Sequence, residues 1–154
     1  MPDHRTGGRI VVGVDGSPAS RQALRWAARQ AGRSGAEVHA VAVWTTPTTY
    51  GWMLPVEDLD WQGNAATAAL EKTVRETLGD DVAAGVHREV VEGHPRRRLL
   101  DAAEGADLLV VGSRGHGEFS GVLVGSVALH LVAHARCPVV VVPGSGAPEA
   151  GPDR

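Results

Sequence analysis

Five short apolar, β-branched runs recur along the chain, and the segments between them carry apolar residues at helical spacing. The runs are Arg9–Val14, Val38–Trp44, Gly85–Val91, Ala106–Val111 and Pro138–Val142. In the first and fourth runs the apolar residues are continuous rather than alternating, as expected of strands covered on both faces in a parallel sheet, whereas the fifth, short, apolar and the last structured segment, is expected at the end of the sheet. The third run, with His87, Arg88 and Glu89, is polar enough for an edge. After Asp15-Gly16, Ser17 is a predicted N-cap and Pro18 the first helical residue. Ala23, Leu24, Ala27, Ala28 and Ala31 then form an apolar stripe, and Gly32 and Gly35 mark the end of this helix. Further helices are predicted over Ala65–Leu78, with Ala66, Leu70, Val74 and Leu78 inward, from Pro95, with Leu99, Leu100 and Ala103 inward, and over Val127–Ala135. Strands alternating with helices predict an α/β fold: an open parallel five-stranded sheet with helices on both faces and right-handed crossovers.

Composition narrows the function classes. The chain has 154 residues, 43% of them hydrophobic, and a formal net charge of -3, which fits one domain and predicts neither nucleic-acid nor membrane binding. The apolar runs are too short to span a bilayer, and the polar start lacks the apolar stretch of a secretion signal. The single cysteine, Cys137, agrees with a cytoplasmic setting and is expected to be buried and inert. The expected organisation is a flexible leader over 1–8, one domain over 9–143 and a disordered tail over 144–154. Arg21, Arg25, Arg29 and Arg33 fall on one helix face and are expected to be solvated. So are Arg96, Arg97 and Arg98, with Asp101 and Glu104 placed to balance them. The long segment Thr45–Gly63, containing Trp52 and Trp61, reads equally as a lid or partner surface and as a cover for the sheet edge.

The strongest chemical signal is the glycine-rich connection Gly112–Ser126 between the fourth strand and the last helix. Glycines admit close approach of a ligand to backbone N–H groups, and a helix start adds unpaired donors and the positive end of its dipole. Such a loop suits an anion such as phosphate, held by backbone amides, the Ser113 and Ser126 hydroxyls and Arg114. It is not a Walker A loop, because the only lysine, Lys72, lies elsewhere, and it lacks the G-x-G-x-x-G spacing. In an open parallel sheet, ligands bind beyond the carboxyl ends of the strands where the strand order reverses. Gly13–Gly16, Val43-Trp44 and Gly112–Ser126 are expected to converge there. Asp15 is then a candidate ribose partner or a ligand, through water, of a phosphate-bound Mg²⁺, and equally a turn residue before Ser17.

Val12-Gly-Val-Asp-Gly-Ser17, Asp107-Leu-Leu-Val-Val-Gly-Ser-Arg-Gly115, Gly125-Ser126 and Cys137-Pro-Val-Val-Val-Val142 resemble the universal stress proteins over residues 9–143. The spacing Gly112-x2-Gly115-x9-Gly125-Ser126 is similar to that of the family's ATP-binding branch. The resemblance implies a Rossmann-like fold of the adenine nucleotide alpha-hydrolase type. It also implies a cytoplasmic stress-response protein that binds ATP and Mg²⁺, forms a homodimer through the final strand and signals to an unknown partner protein. Gly13 and Asp15 would border the adenosine, and Val43 would offer backbone hydrogen bonds to adenine. Gly112, Ser113, Arg114, Gly115, His116 and Gly117 would wrap the phosphates with Gly125, Ser126 and Val127. No residue is evident as a base for attacking water, so an enzyme does not follow from the loop. The alternatives are a slow Mg²⁺-dependent ATPase and a nucleotide-free dimeric adaptor. His130 and His134 have i,i+4 spacing without the glutamate of H-E-x-x-H or an evident third ligand, and are expected to be a helix-surface pair.

Overall fold

Strand pairing, not proximity in sequence, sets the architecture. The computed structural model describes residues 7–45, 56–114 and 124–144. Strands β1 (Arg9–Gly13), β2 (Glu37–Trp44), β3 (His87–Glu92), β4 (Leu108–Gly112) and β5 (Val139–Val142) form one sheet of order β3-β2-β1-β4-β5. All four pairings are parallel. From β1 the chain moves outward through β2 to β3, then crosses back to lay β4 on the other side of β1. The strand order therefore reverses between β1 and β4. The polar β3 occupies one edge, as its composition predicts, and β5 occupies the other.

Helices α1 (Pro18–Ser34), α2 (Val56–Leu78), α3 (Asp80–Ala83), α4 (Pro95–Ala102) and α5 (Ser126–His134) cover the two faces. Because side chains alternate along a strand, each buried strand feeds two cores. Ile10, Val12, Val38, Ala40 and Val110 meet Ala23, Leu24 and Ala27 of α1 and Leu70 and Val74 of α2 on one face. Val11, Val41, Leu109 and Val111 meet Leu99, Ala103, Ala128 and Leu131 on the other. Leu100, although predicted inward, is only partly buried against this second core.

Caps explain where α1 begins and ends. The Ser17 hydroxyl accepts a hydrogen bond from Ser20 N–H at 3.2 Å, with Pro18 next in the chain. At the other end Gly35 adopts φ 75°, a left-handed conformation that favours glycine, and its N–H donates to the Ala31 carbonyl at 2.8 Å. Gly32, read as a terminator, lies inside the helix. α2 begins at Val56 rather than Ala65, absorbing part of the segment read as a long connection. Gly63 and Asn64 are weak helix formers, but the helix passes Trp44 closely, with the site of a Gly63 Cβ 3.6 Å from the indole. Tertiary packing here outweighs propensity. α3, a single turn following Gly79, was not expected from the pattern. The remainder of the long segment, 46–55, lies outside the described residues.

Salt bridges support the helices from outside. Arg21 pairs with Glu76 at 3.3 Å and Arg88 with Glu71 at 2.7 Å, tying α1 and β3 to α2. Arg98 reaches Asp101 at 3.2 Å, whereas Glu104 lies 4.0 Å from Arg136 instead of balancing the arginine run.

Candidate nucleotide-binding crevice

The switch point is built from the ends of β1, β2 and β4. β1 pairs with β2 only as far as Gly13 opposite Val41, after which Val14 N–H donates to the Val41 carbonyl at 2.8 Å. Backbone groups of successive strand residues point to alternate sides. Val43 therefore turns its N–H and C=O to the same side as Val41, beyond the last residue of β1. Trp44 turns the other way, and its carbonyl accepts from Gly93 N–H at 2.9 Å. The unequal lengths of β1 and β2 thus leave one donor and one acceptor of Val43 without a strand opposite them among the described residues.

Beside this edge, the β1–α1 turn is tightly organised. An Asp15 carboxylate oxygen accepts from Ser17 N–H at 2.9 Å, and Gly16 takes φ 81° to complete the turn. Asp15 N–H donates to the Ser20 hydroxyl at 3.3 Å, and that hydroxyl donates to the Ser17 carbonyl at 3.0 Å. Ser17 and Ser20 are buried, whereas Asp15 is exposed at the mouth. Asp15 accordingly fills its turn role while remaining accessible.

The glycine loop leaves β4 against this turn. The Ser17 hydroxyl donates to the Arg114 carbonyl at 3.5 Å, joining the first and fourth strand ends across 97 residues of sequence. Buried Ser113 donates its N–H to Val142 of β5 at 2.8 Å, and its carbonyl accepts from Gly125 N–H at 2.5 Å. The loop thus leaves and returns at one point, which sets the start of α5 over the end of β4. Gly125 is the N-cap of α5 and has no side chain to satisfy the first-turn amides. Ser126 is exposed and Val127 half-buried there. These amides and the helix dipole favour an anion.

The expected residues divide unevenly in this arrangement. Gly13, Asp15, Val43, Gly112, Ser113, Arg114, Gly125, Ser126 and Val127 all lie at the carboxyl ends of β1, β2 and β4 or the start of α5. Gly115, His116 and Gly117 lie outside the described residues. Two of the glycines have packing duties. A Cβ on Gly112 would stand 2.7 Å from the Ala19 carbonyl carbon, and one on Gly13 3.2 Å from the Leu99 side chain. Ser17 and Ser20 escaped the sequence reading as site residues. Their one signal is a pair of serines three apart just after a strand, a capping pattern whose link to Arg114 depends on the fold.

The model of the "Universal stress protein family" matches residues 7–143. The chain belongs to that family. Among its members, universal stress protein Rv2623 of Mycobacterium tuberculosis is 37% identical over 142 residues, covering 86% of this chain and 46% of that protein. The chain thus spans about half the length of such relatives. The universal stress protein UspA from Lactobacillus plantarum superposes with a TM-score of 0.72 at 28% identity, covering 88% of this chain and 97% of that one. A universal stress protein solved in complex with cAMP gives 0.59 at 25% identity, covering 88% and 95%. The five-stranded parallel sheet is the fold of these family members, of the adenine nucleotide alpha-hydrolase type.

Elsewhere, the His130 and His134 rings stack at 4.2 Å on α5, and the His134 Nδ1 lies 2.9 Å from the His130 carbonyl. Desolvation holds the His130 imidazole below its ordinary range, helped by neighbouring His134, Arg96 and His94. Desolvation also pushes the Cys137 thiol above its usual range, although the residue is half-buried rather than buried as expected. No described helix is long and apolar enough to cross a membrane.

Proposed function

We propose that the crevice binds ATP with Mg²⁺ and that the protein is a cytoplasmic stress-response regulator whose nucleotide state is read by a partner. The observation that carries this reading is the open backbone edge of Val43 on one side of β1 and the first-turn amides of α5 at the end of β4 on the other, at the reversal of strand order. A backbone donor and acceptor suit the edge of adenine, and uncapped helix amides suit phosphate. The cAMP complex of a family member supports an adenine nucleotide as the ligand class. Asp15, an exposed carboxylate at the mouth, would hold Mg²⁺ through water, as this hard ion prefers oxygen ligands and keeps several waters. The bound ion would neutralise phosphate charge. Mass spectrometry of nucleotide released from the purified, denatured protein, with calorimetry using Mg-ATP, tests the proposal. Absence of any adenine nucleotide together with no heat of binding would overturn it.

Hydrolysis is expected to be far slower than typical enzyme turnover of about 10 per second. The described crevice residues show turn, cap and backbone roles but no assembled base for attacking water. Phosphate release near that ordinary rate, abolished by Gly125→Val, would place the protein among the ATPases.

We further propose a homodimer formed through β5. Its backbone alternation directs the Pro138 and Val142 carbonyls to β4, where they accept from Leu109 at 3.0 Å and Ser113 at 2.8 Å. Val139 and Val141 therefore turn their backbone groups to the open edge, and all four valines of β5 are only half-buried. An isologous pair of β5 strands would satisfy those groups and cover the valines. A dimer at micromolar concentration, weakened by Val140→Lys or Val141→Lys, is the expected light-scattering result. A monomeric unmodified protein would exclude it.

A further inference from the structure

At the opposite end of the sheet from the crevice, β2 and β3 bring together three side chains with metal-ligand chemistry. Their parallel register sets His39 opposite His87. Glu37 stands two residues before His39, and the strand pleat sends it to the same face. His39 Nε2 lies 3.4 Å from Glu37 Oε2, and His87 Nε2 lies 3.7 Å from the same oxygen. One donor atom from each residue falls within 4.8 Å of the others.

Those spacings can be compared with a coordination polyhedron. A tetrahedral ion bound at about 2.0–2.1 Å to imidazole nitrogen and carboxylate oxygen spaces neighbouring donors by about 3.3 Å. Both carboxylate-to-imidazole distances are close to that edge. The two imidazoles stack with centroids 4.4 Å apart and planes 13° apart, so an ion lying in both ring planes requires the rings to tilt open. Glu37 and His87 are exposed and His39 is half-buried, which leaves room for that rotation and for water or an external ligand in a fourth position. We propose that Glu37, His39 and His87 form a three-ligand site for a divalent transition-metal ion. Two imidazoles and one carboxylate favour the zinc class over Mg²⁺ and Ca²⁺, which select all-oxygen sets. The site is independent of the nucleotide reading, because it sits at the amino ends of β2 and β3. A bound ion would pin these two strands together and stabilise the fold by mass action.

Calorimetric titration of the full, chelator-treated chain with Zn²⁺ is the test. One ion per chain is expected, with a rise in melting temperature. His39→Ala and His87→Ala should each weaken binding by at least about tenfold, whereas His130→Ala and His134→Ala should leave it unchanged. Exposed His87 contributes nothing to the buried cores, so its variant remains informative even if His39→Ala disturbs β2. No Zn²⁺ binding at millimolar concentration overturns the proposal. So does binding undiminished in the His87 variant, or binding lost instead with His130 or His134.

Discussion

Mg-ATP affinity is expected to fall about a hundredfold in Gly125→Val while the fold survives. Gly125 has φ -72° and ψ 164°, an extended conformation that valine adopts readily, so backbone strain gives no reason for unfolding. The added side chain would instead occupy space in front of the Ser126 and Val127 amides. Losing two hydrogen bonds to a charged phosphate, each contributing about 1.5 kcal/mol, removes about 3 kcal/mol, or about a hundredfold in affinity. Gly115→Val should act in the same direction. Calorimetry with Mg-ATP, alongside circular dichroism to verify folding, provides the comparison. Unchanged affinity in both variants would reject the phosphate-loop assignment even if nucleotide binds elsewhere.

The second large effect is on stability. Gly112→Ala is expected to cost roughly 2–3 kcal/mol, although alanine adds a single methyl group. That methyl would meet Ala19 carbonyl carbon and Cβ, each at 2.7 Å, and Ser20 nitrogen at 2.9 Å. Two of the three are backbone atoms of α1, locked by the Ser17 cap, so no flexible side chain can yield. At about 2–4 °C per kcal/mol for a domain of this size, the melting temperature should drop by roughly 5–10 °C. Thermal denaturation of the nucleotide-free protein isolates this packing effect from ligand binding. A melting temperature equal to that of the unmodified chain would show that α1 can retreat, contrary to the fixed packing described here.

What could be read from the chain follows from what is locally encoded. Central parallel strands announce themselves as apolar runs, and Ser17 and Gly35 mark α1 because caps depend on neighbouring residues alone. The length of α2 was hidden because the contact between Gly63 and Trp44 is tertiary. β5 is four consecutive valines, a pattern suited equally to a central strand, but its place as the last structured segment pointed to the sheet edge, where pairing with β4 alone puts it. The same division holds in the site. The start of α5 after Gly125 is local and was legible. The open edge of Val43 was not, since it depends on β1 ending before β2 does. Nor was the meeting of His39 with His87, which β2–β3 register alone decides.

The placement of β4 beside β1 also has a kinetic consequence. Arg9 N–H donates to the Asp107 carboxylate at 2.8 Å, and Asp107 N–H donates to the Arg9 carbonyl at 3.0 Å, closing a loop of 98 residues. Such closure is entropically costly and slows folding of parallel sheets. On the ribosome, β1, β2 and β3 can emerge and pair while one side of β1 still waits for a strand not yet synthesised. The start of α5, on which the proposed nucleotide site depends, comes later still. The proposed nucleotide site is therefore among the last parts of the nascent chain to be completed, and a nucleotide that selects the finished crevice would arrive too late to guide early folding.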